Sequence, residues 1–256
     1  MDHAIVREDA DRPVEVRKVE PGRPLIWLQR GWADFRKAAA PSLIYGAWAA
    51  AFGFALLMVA WRSTYLAPAL VGGFLLVAPF VAIVFYALSQ QIEQGRPVDG
   101  AEAVFAWRRN SGSIALWGLA LTLALIIWER LAAILFALSY GGEVKDLTSL
   151  MSDILLSGRY LPFMLVYFAV GGIFALTVFV FGIVTAPMLL DRDVDVVTAA
   201  LTSLRACLAN PGATLVWAVL IALLTAIGFA TLMLGMVIVF PLLGHASWHA
   251  YRDLVK

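Results

Sequence analysis

Two histidines spaced four residues apart are the first candidates for chemistry. His245 and His249 lie in the last apolar segment of the chain, beside Trp248, Tyr251 and Arg252. On a helix this spacing places both imidazoles on one face, as a metal, haem or quinone contact requires. The neighbours are equally typical of an aromatic and basic belt at a membrane surface. The pair is therefore an interfacial anchor, a helix-packing pair or a cofactor-binding contact. Because two ligands do not complete a metal site, no metal or cofactor is assigned.

A second candidate is the only pair of formal charges well inside an apolar segment. Glu129 and Arg130 interrupt the stretch 114–140. Ionisable side chains within a membrane are costly and often functional. Adjacent helical residues point about 100° apart, so we do not expect these two to bond to each other. Either Arg130 reaches the outer headgroups while Glu129 pairs with Arg62 or Arg159, or the pair has a proton- or ligand-linked role.

The composition assigns the chain to the membrane proteins. Its 256 residues are 62% hydrophobic and 14% charged, with a mean hydropathy of +0.84. A soluble domain is about 45–50% apolar and about 25% charged. The net charge of +1 gives no basic field for nucleic acid, and the single Cys207 excludes an internal disulfide. No catalytic motif is present, so we predict that the protein is not an enzyme.

Apolar segments of sufficient length predict six transmembrane helices in an all-α bundle. A bilayer core of about 30 Å needs roughly 20 apolar residues. The segments are 42–61, 66–88, 114–140, 160–190 and two within 212–250. As one helix, the last stretch would extend about 58 Å, so we expect it to fold back near Gly228 to Gly235.

The distribution of basic residues predicts that both ends lie in the cytoplasm of a bacterial inner membrane. With that orientation, 15 of the 19 Lys and Arg residues fall on the inner side and three in outer loops. Residues 1–40 contain no apolar stretch typical of a signal peptide. We predict a flexible cytoplasmic segment over 1–22 and a single six-span membrane domain over 23–256.

The chain also contains a threefold internal repeat. Segments 31–43, 103–114 and 203–215 each predict a short amphipathic helix and a break before a membrane hairpin. Asn110 and Asn210 occupy equivalent positions in the second and third copies. Such helices lie along the membrane interface or pack against the inner face of the bundle. The aromatic residues assigned to the interface are Trp27, Trp32, Phe35, Trp107, Trp248 and Tyr251. A similar stripe predicts an outer interfacial helix over 147–155.

Several segments resemble a known family. They are PLIWLQRGWADFR (24–36), PSLIYG (41–46), LDRDVD (190–195), LTSLRA (201–206), NPG (210–212) and PLLGHASWHAYRDL (241–254). Through them the chain, over about residues 16–255, resembles a proteobacterial family of predicted integral membrane proteins of unknown function (domain-of-unknown-function family 2189). The resemblance implies an inner-membrane location and brings no activity.

The leading functional prediction is an accessory, scaffold or assembly partner of a larger membrane complex. It rests on short loops and on the lack of any recognisable buried polar constellation. A small-molecule or lipid transporter is the first alternative, because of the repeats and Glu129 within the membrane. A metal, haem or quinone contact through His245 and His249 is the second. The expected partners are the lipid bilayer and a larger membrane complex, not nucleic acid.

Overall fold

The computed structural model describes residues 14–62, 70, 72–74, 78, 81–139 and 160–256, and this part of the chain is helical apart from short connections. The helices are α1 (Arg23–Lys37), α2 (Ala39–Arg62), α3 (Ile83–Glu93), α4 (Gly100–Val104), a 3₁₀ helix (Ala106–Asn110), α5 (Ser111–Ser139), α6 (Leu161–Gly182), α7 (Thr185–Asp191), α8 (Val196–Ala209), α9 (Pro211–Ala230) and α10 (Met236–Leu254). The described residues contain no β-strand, only an isolated bridge between Val16 and Val255. The predicted all-α class is confirmed.

Four helical stretches in the described residues are long and apolar enough to cross a membrane. They are Ala39–Arg62, Ala106–Ser139, Leu161–Asp191 and Pro211–Ala230. These correspond to the first, third, fourth and fifth predicted spans. The predicted second span, 66–88, lies partly outside the described residues, and the predicted interfacial helix 147–155 lies outside them entirely. Helix α10, at the position of the sixth span, is not among the four.

Helix α10 is the centre of the bundle because small residues let its neighbours approach closely. It packs against α1, α2 and α3. Gly31 of α1 faces the backbone of Ala246, and Gly46 of α2 faces the carbonyl oxygen of Val237. A Cβ at either glycine would collide with α10, so the backbones can meet only where the side chain is a hydrogen atom.

The chain reverses direction between α9 and α10. The turn lies between Ala230 and Met236, within the interval predicted from the sequence. Leu232 and Met233 have φ angles of 50° and 70°, the left-handed conformation that a tight reversal requires. The Met233 side chain packs at Gly53 of α2.

The two ends of the described chain meet at one end of the bundle. Arg17 N–H donates to the carbonyl of Leu254 at 2.9 Å, and Lys256 N–H donates to that of Glu15 at 3.0 Å. We call this end, formed by residues 14–22, the C-terminal part of α10 and the connections 94–99 and 192–195, the polar end. Residues 14–22 of the predicted flexible segment are therefore part of the folded domain.

Candidate functional site

Five polar side chains form a continuous hydrogen-bonded chain near the polar end, which we call the buried chain. His249 Nε2 lies 2.8 Å from Asp34 Oδ2, and Ser89 Oγ donates to the same oxygen at 2.8 Å. Ser89 Oγ also lies 2.8 Å from His245 Nδ1, and His245 Nε2 lies 2.9 Å from Ser42 Oγ. Helices α1, α2, α3 and α10 supply these residues. The expectation that the chain lacks a buried polar constellation is wrong.

Burial makes the hydrogen-bond directions of the buried chain determinate. Ser42, Ser89 and His245 have no exposed surface. The Ser89 hydroxyl donates its one hydrogen bond to the Asp34 carboxylate, so Ser89 Oγ must accept a hydrogen bond from the Nδ1–H group of His245. His245 Nε2 is then an acceptor for the Ser42 hydroxyl. Both ring nitrogens are engaged, and a ligand to His245 would have to displace one of the serines.

Asp34 carries the charge of the buried chain. Burial by itself raises the pKa of this carboxyl group, but hydrogen bonds from His249 and Ser89 and the nearby imidazoles outweigh it, so the net pKa lies below its ordinary value of 3.8. The residue is 6% exposed, whereas the side chain of His249 is 19% exposed. The buried chain thus runs from a partly solvated imidazole at the rim to a fully enclosed serine.

Ion pairs beside the buried chain connect α10 to α3 and α7. Glu93 accepts from Trp248 Nε1 at 2.9 Å and from Arg252 Nε at 3.0 Å. Asp191 accepts from the Tyr251 hydroxyl at 2.7 Å and from Arg252 at 3.4 Å. These bonds bring together residues of three helices that are far apart in sequence.

The aromatic residues assigned to the interface divide into two groups. The buried group is Trp27, Phe35, Trp248 and Tyr251. Their assignment as interfacial residues is corrected, because these four side chains pack inside the bundle instead of lying along the membrane interface. Trp27 Nε1 donates to Asp253 at 2.8 Å, which shows how a buried indole is satisfied. Trp32 and Trp107 remain 41% and 40% exposed.

Glu129 and Arg130 lie away from the buried chain. Arg130 Nε is 3.1 Å from Glu129 Oε2, with the two side chains 75% and 32% exposed respectively. The expectation that adjacent residues would not bond is wrong, because both side chains are long enough to bend toward each other along the helix surface. Glu129 lines neither of the two best-defined cavities among the described residues.

Those two cavities are apolar or peripheral. One, of about 10 Å³, lies among side chains of α2 and α9 and includes Gly53, Phe74 and Met233 in its lining. The other, of about 300 Å³, is bounded by Ser139 and by residues at the start of α6. Within the described ranges no group of three or more His, Cys, Asp or Glu side chains is arranged to hold a metal ion.

Two repeat-equivalent asparagines hold backbone segments at the polar end. Asn210 accepts from Val19 N–H at 2.7 Å and donates to the Arg17 carbonyl at 2.9 Å. Asn110 donates to the Val194 carbonyl at 2.9 Å. Each asparagine ends one predicted amphipathic helix and binds the segment that leads into another.

The sequence signals for the buried chain were incomplete. The spacing of His245 and His249 indicated one shared site. In the structure His245 bonds to Ser42 and Ser89, whereas His249 bonds to Asp34. The spacing of the two histidines does not predict their partners Asp34, Ser42 and Ser89. The run Ser89-Gln90-Gln91 at the end of an apolar segment was the available signal, since polar side chains in such a context need buried partners.

Comparison with known proteins supports the membrane assignment. Residues 66–191 match the model of a family described as "Predicted integral membrane protein (DUF2189)". Neither a curated protein nor a solved structure matches the chain. The matched range is narrower than 16–255, and only residues 190 and 191 of the quoted segments fall within it. The family resemblance is nevertheless confirmed: residues 66–191 are similar to this family of predicted integral membrane proteins.

Proposed function

We propose that the chain crosses the membrane six times, with the predicted segment 66–88 and α10 as the second and sixth spans. Phe74 lies against Gly53 and 5.8 Å from the ring of Phe229, near the α9–α10 turn. Glu93 lies at the opposite level, beside Trp248 and Arg252. Phe74 and Glu93 therefore lie at opposite levels of the bundle. Helix α10 covers the same distance from the turn to the polar end.

The pairing of the two chain ends supports an even number of crossings. Val16 and Val255 are bridged, so residues on both sides of the membrane domain emerge at one face. The excess of Lys and Arg in the inner segments makes that face cytoplasmic in an inner membrane.

Membrane-impermeant maleimide labelling tests this topology. In a Cys207→Ser background, Arg62→Cys should be labelled in intact spheroplasts and Lys256→Cys only after lysis. Labelling of both positions before lysis, or the reverse pattern, would contradict the proposed orientation.

The contacts at the polar end support a threefold repeat. Asn210 of the third copy binds the segment leading into the first, and Asn110 of the second binds the segment leading into the third. In the first copy the Tyr45 hydroxyl donates to the carbonyl of Gly100 at 2.9 Å, where the second copy begins. Each copy thus contacts the start of another, which closes the three into a cycle.

For the activity, we propose a non-catalytic accessory or assembly partner of a larger membrane complex. The observation that carries this proposal is that the polar groups of the buried chain are satisfied by each other. They are not directed into a cavity that would hold a substrate. In the part of the chain described, the bundle interior near α2 and α9 contains a cavity of only about 10 Å³. Such a site fixes the relative positions of helices, which is what an assembly partner requires.

Purification from native membranes in a mild detergent tests this proposal. Mass spectrometry of the purified sample should show a defined set of partner proteins at fixed stoichiometry. Glu129→Gln, at the exposed pair on α5, is a matched variant that should retain the same partners. A protein that comes alone at native abundance, with an intact fold, would overturn the accessory role.

A proton-linked transporter is the second candidate, favoured by the continuity of the buried chain from His249 to Ser42. Proteoliposomes containing a pH-sensitive dye, with a potassium gradient and valinomycin, would report proton movement. The accessory role predicts no proton flux above that of empty liposomes. A flux that Asp34→Asn abolishes and Glu129→Gln leaves intact would favour transport instead.

A further inference from the structure

Three exposed stripes at the polar end share one chemical pattern. Each stripe combines large exposed apolar side chains with a neighbouring exposed arginine, which on α1 and α8 lies on the same helical face. The stripes are Leu25, Trp32 and Arg36 on α1; Phe105, Trp107 and Arg108 on the 3₁₀ helix and the residue before it; and Val197, Leu201, Arg205 and Leu208 on α8. We call them the arginine stripes.

The position of the arginine stripes places them at a membrane boundary. Helix α1 leads into the candidate span Ala39–Arg62, and the 3₁₀ helix forms the start of the span Ala106–Ser139. A single residue, Asn210, separates the end of α8 from the span Pro211–Ala230. Apolar side chains at this level lie at the acyl boundary, and long basic side chains extend from it toward the headgroups.

The stripe arginines have no acidic partner among the described residues, whereas most arginines nearby do. Arg23 and Arg30 pair with Asp253, and Arg96 and Arg109 pair with Glu102. Arg36, Arg108 and Arg205 take part in none of the ion pairs of the described part of the chain.

Local contacts hold two of these guanidinium groups in place. The Arg108 guanidinium lies 4.4 Å from the centre of the Phe105 ring, and Arg205 Nη2 donates to Thr202 Oγ1 at 3.0 Å. Both contacts orient the group and leave its positive charge uncompensated.

We propose that the arginine stripes bind anionic phospholipid headgroups, one cluster of headgroups for each copy of the repeat. Guanidinium groups match phosphate geometry with paired donors, and the neighbouring Trp, Phe and Leu side chains fit the adjoining acyl chains. The inference rests on the proposed membrane placement of the polar end. It adds lipid selectivity to that placement.

The full chain in mixed micelles containing equal amounts of phosphatidylcholine and phosphatidylglycerol tests this inference. Mass spectrometry of the lipid retained after purification should show enrichment of the anionic lipid. A basic residue near an anionic surface is worth up to about fivefold in affinity, so each of Arg36→Gln, Arg108→Gln and Arg205→Gln should lower the ratio of anionic to zwitterionic lipid by up to that factor. The triple variant should approach the ratio of the micelles.

Arg96→Gln is the matched control, because it removes the same charge at the same end from a side chain paired with Glu102. It should keep the wild-type lipid ratio. A high-salt wash of the wild-type protein should lower the enrichment without any substitution.

Three outcomes would overturn the inference. They are a wild-type ratio equal to that of the micelles, a triple variant with full enrichment, and the loss of an acidic partner protein instead of lipid from native membranes. A chain that does not enter the micelles at all would contradict the membrane placement itself, which is a different failure.

Discussion

Replacing Ser89 by alanine is the sharpest test of the buried chain. Ser89 has no exposed surface and joins two partners, the Asp34 carboxylate and His245 Nδ1, each at 2.8 Å. The substitution removes a hydrogen bond to an ionised acceptor and leaves the imidazole N–H without a partner. Alanine has almost the volume of serine, so packing changes little and the effect is one of hydrogen bonding.

The expected loss of unfolding free energy for Ser89→Ala is about 3 kcal/mol. A hydrogen bond to a charged group contributes about 1.5–3 kcal/mol, and a stranded buried donor costs about 1–3 kcal/mol. The imidazole can reduce the second effect by moving its proton to Nε2 and donating to Ser42, so the two contributions do not simply add. Ser42→Ala leaves only a neutral acceptor unpaired and should cost about 1 kcal/mol.

Unfolding of the purified protein in mixed micelles, followed by far-ultraviolet circular dichroism against added SDS, measures these differences. Ser139→Ala, at an exposed position on α5, is the matched control and should change stability by less than about 0.5 kcal/mol. If Ser89→Ala destabilises no more than Ser42→Ala, or no more than the control, the hydrogen-bond directions derived for the buried chain are wrong.

Three further predictions concern charge, close packing and the chain ends. Because the native pKa of Asp34 lies below 3.8, its stabilisation is complete above about that pH and is lost as the pH falls through the lower native value; melting temperatures across pH 2–6 should show this loss, and Asp34→Asn should remove it. Gly46→Ala should destabilise the fold by about 1–3 kcal/mol because its methyl group meets the backbone of α10. By contrast, Gly112→Ala, with no atom within 4 Å of the added methyl group, should stabilise it by about 0.5–1 kcal/mol; thermal unfolding of both variants would check the opposite signs. Asn210→Ala should release the Val19 amide, raising its hydrogen exchange rate while amides in the middle of α10 stay protected. Equal exchange of the Val19 amide in the variant and the wild type would contradict the hydrogen bond from Val19 to Asn210.

Hydropathy was sufficient to predict the apolar helices of the described residues. Four of the predicted spans coincide with helices that meet the length and composition of a membrane crossing. The α9–α10 turn was also predicted, although no polar residue marks it, because a helix of about 58 Å does not fit a bilayer core of about 30 Å. At this position the length of the apolar segment was sufficient to predict the turn.

Hydropathy did not predict the surroundings of α10, because the two halves of this helix lie in different environments. Its first half is apolar, whereas its second half carries His245, His249, Arg252 and Asp253. The sequence indicated an aromatic and basic belt facing headgroups. The structure instead buries Trp248 and Tyr251 against acidic residues of α3 and α7. Those acidic partners are 60 and 155 residues away in sequence, so no local pattern predicts the pairing.

The buried chain could not be predicted from the sequence either, because its members also come from distant parts of the sequence. Histidines at i and i+4 share a helical face whether they bind a ligand or other side chains, so the spacing cannot distinguish the two uses. The distinction depends on Ser42, Ser89 and Asp34, which reach α10 from three other helices. Only the tertiary arrangement reveals that both His245 nitrogens are already occupied.

The buried polar groups at the polar end determine which helices are held rigidly. Buried hydrogen bonds with defined donors and acceptors are most costly to break where water is excluded, so they fix the helices that they join. The buried chain and the neighbouring ion pairs fix α1, α2, α3, α7 and α10 at the polar end. By contrast, only 11% of the most apolar window in the stretch Ala106–Ser139 is buried, and α5 contacts chiefly α6. The helices that surround α10 are thus held by buried hydrogen bonds and ion pairs. The α5–α6 hairpin instead has a broad apolar surface for lipid or a membrane partner. We therefore expect substitutions at the polar end to affect folding, and substitutions of the apolar side chains on the outer face of α5 to affect association while the fold is retained.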